Sequence, residues 1–151
     1  MIKKVKIYLD NCSYNRPFDD QSQMRIYLET QSKLYIQQLI CSGYLLLAFS
    51  YISRYENGNS PYFKNKIAIE RFFENAVTYI DVDKAGIIEK RANGIIKYGI
   101  RAKDALHISC AIEAKCDYFI TTDDGILKKY RANDIHVCSP IQFITIEEDF
   151  L

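Results

Sequence analysis

Short apolar runs and helix-length segments alternate along the whole chain, and this alternation narrows the choice of fold more than any other feature. Residues 5–9, 44–49, 77–82, 118–120 and 135–138 read as strands, apolar runs rich in β-branched or aromatic residues and leucine. The run at 44–49 is continuously apolar between Gly and Ser, as expected of a strand buried on both faces. Between the strands lie helical patterns. One opens near Ser22 with Met24, Leu28, Tyr35 and Leu39 as its apolar stripe, Tyr27 and Leu34 alongside, and Gly43 as its stop. A short helix follows Ser50 and is closed by Gly58; the next begins at Pro61, with Ile67, Phe72 and Phe73 on its apolar side. Ile88, Ala92 and Ile95 mark another that ends near Tyr98 and Gly99, residues 103–114 form an almost entirely apolar one, and 128–131 make a basic helical turn. Parallel neighbours need crossover helices, so the pattern predicts a three-layer α/β/α sandwich with a mostly parallel central sheet. With no internal repeat and no linker, residues 1–151 read as a single domain.

Composition excludes several classes. At 48% hydrophobic and 26% charged the chain is globular rather than disordered. Cys12, Cys41, Cys110, Cys116 and Cys138 are odd in number and scattered, which provides neither a disulfide framework nor a zinc-like pairing and fits a reducing cytoplasm. The N-terminal segment reaches Asp10 before a long apolar region develops, so neither a signal peptide, an anchor nor a membrane span is expected. A net charge of +1 argues against a strongly basic nucleic-acid surface. If several acids are gathered around a metal, however, the remaining surface carries a modest basic excess compatible with a phosphate-bearing substrate.

Carboxylates recur where the topology would bring them together. Asp10 ends the first strand, Glu56 lies two turns beyond the second, Asp104 opens the apolar helix and Asp123 follows the next strand. In an open α/β sheet ligands collect at the carboxyl ends of the strands, so all four can face one cleft. Acids so close repel one another unless a cation favours their charged forms. Hard oxygen donors with no partnering His or Cys pair suit Mg2+ or Mn2+ rather than zinc. Ions held in this way suit hydrolysis of a phosphodiester by in-line displacement. There is no Gly-rich phosphate loop, no Walker sequence, and no Ser or Cys nucleophile with a recognisable base. Asp10 lacks the second acid two residues on that would suggest a phosphorylated receiver aspartate.

Four segments, Tyr8-Leu9-Asp10-Asn11, Ser50 to Glu56, Ala102-Lys103-Asp104-Ala105-Leu106-His107-Ile108 and Phe119-Ile120-Thr121-Thr122-Asp123, together resemble the PIN domain, the family that includes VapC-type toxin ribonucleases. The resemblance covers essentially the whole chain. It implies a divalent-metal-dependent endoribonuclease with Asp10, Glu56, Asp104 and Asp123 as metal ligands and catalytic residues, and with Thr121 or Thr122 as a polar support. It also implies RNA as substrate, an antitoxin protein as a partner, and a homodimer as an oligomeric form. The chain departs from the family at Asn11-Cys12-Ser13, where many members carry Thr or Ser and then an apolar residue; Asp124 beside Asp123 offers an adjacent acid, and the Thr-x-Asp spacing from Thr121 selects Asp123.

Each of these residues has a plainer use. Asp104 at a helix N-terminus is favoured by the dipole, Asp10 can be a turn residue, and Glu56 a solvated acid. A non-catalytic PIN-like RNA- or protein-binding module is therefore the alternative, and the retention of four mutually repelling acids favours the enzyme. His107 reads as a buried supporting histidine rather than a base. Arg16, Arg101, Lys103, Lys128, Lys129 and Arg131 are candidate phosphate contacts, and Tyr14, Phe18, Tyr51 and Tyr55 candidate stacking residues, although core packing explains most aromatics.

Overall fold

The run at residues 5–9 becomes the central strand of the molecule. In the computed structural model, which describes residues 3–147, β1 (Val5–Leu9) pairs with β2 (Leu45–Ser50) on one side and β4 (Tyr118–Ile120) on the other. β3 (Thr78–Ile80) and β5 (His136–Cys138) form the edges of a five-stranded sheet in the order β3-β2-β1-β4-β5. Every neighbouring pair is parallel, beyond the mostly parallel sheet expected. At least one helix lies between each strand and the next: α1 (Asn11–Asn15) and α2 (Met24–Cys41) after β1, α3 (Tyr51–Gly58) and α4 (Phe63–Phe72) after β2. α5 (Ala85–Ile96) and α6 (Ala102–Glu113) follow β3, α7 (Asp124–Lys129) follows β4, and α8 (Pro140–Ile146) follows β5.

The alternation of side chains along β1 divides the interior into two layers. Ile7 and Leu9 face a cluster with Ile36 and Ile40 of α2, Phe72 of α4 and Phe143 of α8. Tyr8 faces the opposite way, into a cluster with Ile88, Ala92 and Ile95 of α5, Ala105 and Ile108 of α6, and Phe119 of β4. Tyr8 stacks on Phe119 with ring centroids 5.6 Å apart. The expected α/β/α sandwich is thus observed, and Ile88, Ala92 and Ile95 are all buried as the helical spacing predicted.

Only the C-terminal half of the stripe expected on α2 is buried, with Leu39 in the core and Tyr35 packed against it. Met24, Tyr27, Leu28 and Leu34 are exposed, whereas Glu29, Thr30, Lys33, Ile36, Leu39 and Ile40 are buried. Polar residues hold the inner face because tertiary partners satisfy them. Arg16 pairs with Glu29 at 2.8 Å, the Thr30 hydroxyl donates to the Arg16 carbonyl at 3.1 Å, and the Lys33 ammonium donates to Gln37 while lying over the Phe72 ring at 5.2 Å. Burial draws the Lys33 amine down to about 8.

Other boundaries shift in explicable ways. Two helical turns, α1 and a 3-10 turn over Arg16–Phe18, lie between β1 and α2, and α2 starts at Met24 rather than near Ser22. Pro61 precedes α4 by two residues, with Tyr62 at its N-cap instead. The third strand is confined to Thr78–Ile80, and of the basic turn expected at 128–131 only Lys128 and Lys129 are helical, at the end of a helix that begins at Asp124. α8 was not foreseen, although Ser139 and Gln142 form a reciprocal capping box around Pro140. Gly43 ends α2 as expected: at φ +79° it lets the Tyr44 amide reach the Leu39 carbonyl at 2.9 Å and its own amide reach Ile40 at 3.1 Å, a Schellman closure. No helix among the described residues is long and apolar enough to cross a membrane.

Candidate active site

The winding of the chain reverses at β1, with β2 and β3 built outward on one side and β4 and β5 on the other. Crevices in parallel sheets form at such a switch point, outside the carboxyl ends of the strands. Asp10 and Asp123 stand there directly. Leu9 is in register with Ile120, and the Asp10 amide donates to the Ile120 carbonyl at 3.2 Å.

Both aspartates cap the helix that follows them. Asp10 Oδ1 accepts from the Ser13 amide at 2.9 Å, and Asp123 Oδ1 accepts from the Gly125 and Ile126 amides at 2.7 and 3.3 Å. Capping fixes the rotamer of each carboxylate and leaves its second oxygen for other work. Gly125 is part of this arrangement, since a Cβ there would lie 3.0 Å from Asp123 Oδ1. Thr121 joins the pair: its hydroxyl donates to Asp10 Oδ2 at 2.5 Å and accepts from the Asp123 amide at 3.0 Å. Of the two threonines considered as supports, Thr121 is the one in contact with Asp10.

Asp10 is only 3% exposed, and among the described residues no Lys or Arg pairs with it. Burial pushes its carboxyl above the usual range, against the hydrogen bonds from Thr121 and Ser13. Asp104, in the first turn of α6, is raised as well, by burial first and then by the charge of Asp123, with Glu56 adding to it. Asp104 and Asp123 line one small cavity of about 50 Å3, together with Arg101 and Lys129. The Cys12 thiol is pushed up to about 12, first by desolvation and then by the charges of Asp10, Asp123, Asp104 and Glu56. Asp10 and Asp123 are thus linked through Thr121, and Asp104 and Asp123 line one cavity, while Glu56 lines the neighbouring cleft.

Glu56 reaches the cleft from α3, and its carboxylate is engaged. One oxygen contacts His107 Nε2 and the other lies 3.9 Å from the Lys103 ammonium. His107 is 1% exposed, and its Nδ1 meets the Tyr8 hydroxyl at 2.6 Å. That hydroxyl also meets Ser50 Oγ at 2.7 Å and Ser53 Oγ at 3.0 Å. A neutral imidazole accepting from Tyr8 at Nδ1 carries its proton on Nε2, where it donates to Glu56. His107 thus positions Glu56, and Tyr8 with its two serines sets the tautomer. Tyr8 and the serines were not singled out from the sequence. The capping pattern Ser-x-x-Ser at the start of α3 was the available signal, but nothing in it points across the sheet to β1.

Asp124 is 55% exposed at its side chain and held by a two-pronged contact from Arg25 at 2.7 and 2.8 Å, which directs it away from the other acids. Arg16 is committed to Glu29 and Asp19 and is not available to a phosphate. Tyr14 is buried against Phe72 and Phe73, which removes it from the candidate stacking residues, whereas Phe18 and Tyr55 remain exposed.

The residues present can be compared with the needs of a divalent cation. Their donors are carboxylate oxygens, Asp123 Oδ2 and both oxygens of Asp104 accept no hydrogen bond among the described residues, and the cavity between them has room for a water-sized occupant. The donor chemistry therefore fits. The placement is incomplete: among the described residues no three His, Cys, Asp or Glu side chains converge as a metal site, with Glu56 turned to His107 and Lys103.

No family model and no curated protein matches the chain. Among solved structures it is similar to a chain of VapBC2 from Rickettsia felis, crystallised bound to a DNA fragment from their promoter. The match covers 88% of this chain and 97% of that one, with a TM-score of 0.53 and 16% sequence identity, and shows a shared fold.

Proposed function

We propose that this chain is a divalent-cation-dependent endoribonuclease of the PIN-domain type, acting as the toxin of a toxin–antitoxin pair. The carrying observation is Asp10, a buried carboxylate with no Lys or Arg partner among the described residues, linked through Thr121 to Asp123, which shares a cavity with Asp104. A buried charge is costly unless paired, and a bound cation is the partner this set of oxygens suits. The fold shared with VapBC2 and the resemblance of the four acidic segments to PIN domains support the same conclusion.

Asp10, Asp104 and Asp123 are the residues that hold the ion in this proposal, with Glu56 joining them once released from His107. A cation bound there would supply Lewis acidity to a phosphodiester under attack by water. The protein's own residues prepare that site. Thr121 fixes the rotamer of Asp10, the caps of α1 and α7 fix the orientation of Asp10 and Asp123, and His107 determines where Glu56 stands. Lys103, exposed beside Glu56, is placed to meet a backbone phosphate. The exposed row Met24, Tyr27, Leu28 and Leu34 on α2 supports a protein partner that covers it, either an antitoxin or a second copy.

One observation favours the alternative of a non-catalytic PIN-like binding module, namely that Glu56 is already satisfied by His107 and Lys103. The two are separated by metal removal. The purified protein is expected to cleave single-stranded RNA with Mg2+ or Mn2+ and to stop when EDTA is added, as followed on a labelled oligonucleotide. Binding without cleavage at any metal concentration would select the non-catalytic module, and cleavage undiminished by EDTA would refute the metal dependence.

A further inference from the structure

A cleft of about 900 Å3 adjoins the carboxylates, between the segment after β1 and the connection from α3 to α4. Glu56 and Lys103 line it, so it is continuous with the candidate site. Phe18 and Tyr62 line it as well, 45% and 66% exposed. Asn59 and Asn65 bring side-chain amides that make no hydrogen bond among the described residues. Exposed rings beside unpaired amides offer a stacking face together with both donors and acceptors.

Charge decides what such a cleft receives. Asp19, Asp20 and Glu56 line it against Lys103 as its lining cation, which disfavours a phosphate in its depth. A nucleobase is uncharged, has two flat faces for the rings, and presents donors and acceptors along one edge. The guanidinium of a protein partner would satisfy the acids but only donates, leaving the N–H groups of Asn59 and Asn65 unanswered. We propose that this cleft takes one unstacked base of a single-stranded RNA. Tyr62 and Phe18 supply the stacking faces, Asn59 and Asn65 contact the base edge, and Lys103 holds the adjoining phosphate next to Glu56. This assignment rests on the ribonuclease reading and deepens it, making a base beside the cut a determinant of which RNA is chosen.

The chain contains no tryptophan, so the emission of 2-aminopurine can be read without interference. The probe is a pentaribonucleotide with 2-aminopurine at its centre, titrated in EDTA against Asp104→Asn protein so that it is not cut. Binding is expected to quench the emission. Adding Tyr62→Ala is expected to abolish the quenching and weaken binding about tenfold, the range of one lost base–aromatic stack. Tyr62 is largely exposed, so its removal leaves the fold intact. A pentamer abasic at its centre should bind the Asp104→Asn protein as weakly as the intact pentamer binds the double variant. Unchanged emission on binding, or equal affinity with and without Tyr62, overturns the base site while cleavage by the wild-type protein leaves the ribonuclease reading standing. If the RNA is neither bound nor cut, both fall. If an oligoarginine peptide binds in a Tyr62-dependent way and RNA does not, the cleft is a protein site and the proposal is overturned.

Discussion

Replacing Asp104 by Asn is expected to remove metal-dependent RNA cleavage and to make the metal-free protein harder to melt. The first effect follows from losing a carboxylate donor to a divalent ion. Such ions contribute several kcal/mol to the transition state of a phosphodiester, and losing ~4 kcal/mol lowers kcat/KM by ~10³-fold. The second effect has a separate origin. The Asp104 carboxyl is raised by burial and then by Asp123, and the Arg101 guanidinium offsets only part of this. The dipole of α6 favours an acid in its first turn by ~0.3–1 kcal/mol and so reduces the penalty. A carboxyl whose folded pKa lies above its unfolded value weakens the fold wherever the charged form dominates. That penalty is absent below the ordinary value of 3.8 and complete once the pH has passed the raised one.

An amide carries no such penalty. Asp104 is partly exposed, so water screens part of the cost and the gain is modest. In EDTA near neutral pH the Asp104→Asn protein should melt about 2–4 °C above its parent, and at about pH 3 the two should melt together. Thermal scans across that range test the point. A variant that melts below wild type at neutral pH would show that Asp104 serves the fold rather than the site.

The largest stability effect is expected at a residue with no part in the chemistry. Arg16→Met removes the main partner of Glu29, which is 2% exposed and otherwise reached only by Arg25 at 3.4 Å among the described residues. An orphaned buried carboxylate costs about 3–5 kcal/mol, and the distant Arg25 places this case at the lower end, ~3 kcal/mol. The urea midpoint should fall by about 1–2 M with the slope unchanged. Arg16→Met combined with Glu29→Leu should recover most of the loss, because the double change removes the charge together with its partner. A single variant within ~0.5 kcal/mol of wild type, or a double variant no better than the single, contradicts this picture of α2.

α2 also marks the limit of what the sequence displays. Hydrophobic periodicity places a helix correctly but chooses its inner face by counting apolar residues. That count pointed to Met24 and Leu28, because nothing local says that Glu29 and Lys33 find partners in Arg16, Gln37 and the Phe72 ring. Where burial was matched by composition, as at Ile88, Ala92 and Ile95 or along β1, the reading agreed with the packing. The parallel sheet was legible for a similar reason, since alternation is a property of the whole chain and survives errors at element ends.

The acids were legible as positions rather than as an arrangement. That Asp10 and Asp123 stand at the carboxyl edge of the sheet follows from strand order, which alternation constrains. That Thr121 bridges Asp10 to the Asp123 backbone is a tertiary fact with only the spacing Thr-x-Asp to hint at it. The chain running from Ser50 and Ser53 through Tyr8 to His107 and Glu56 joins residues from β1, β2, α3 and α6, and no local pattern carries such a connection.

Binding of Mn2+ to the isolated protein tests the carboxylate site without involving RNA. Calorimetric or paramagnetic titration of the wild-type chain should show saturable Mn2+ binding, and the Asp104→Asn chain, folded by the same thermal criterion, should bind at least about tenfold more weakly. Equal binding by the two proteins, or no binding by the wild type, would contradict the assignment of these acids to a metal-dependent nuclease.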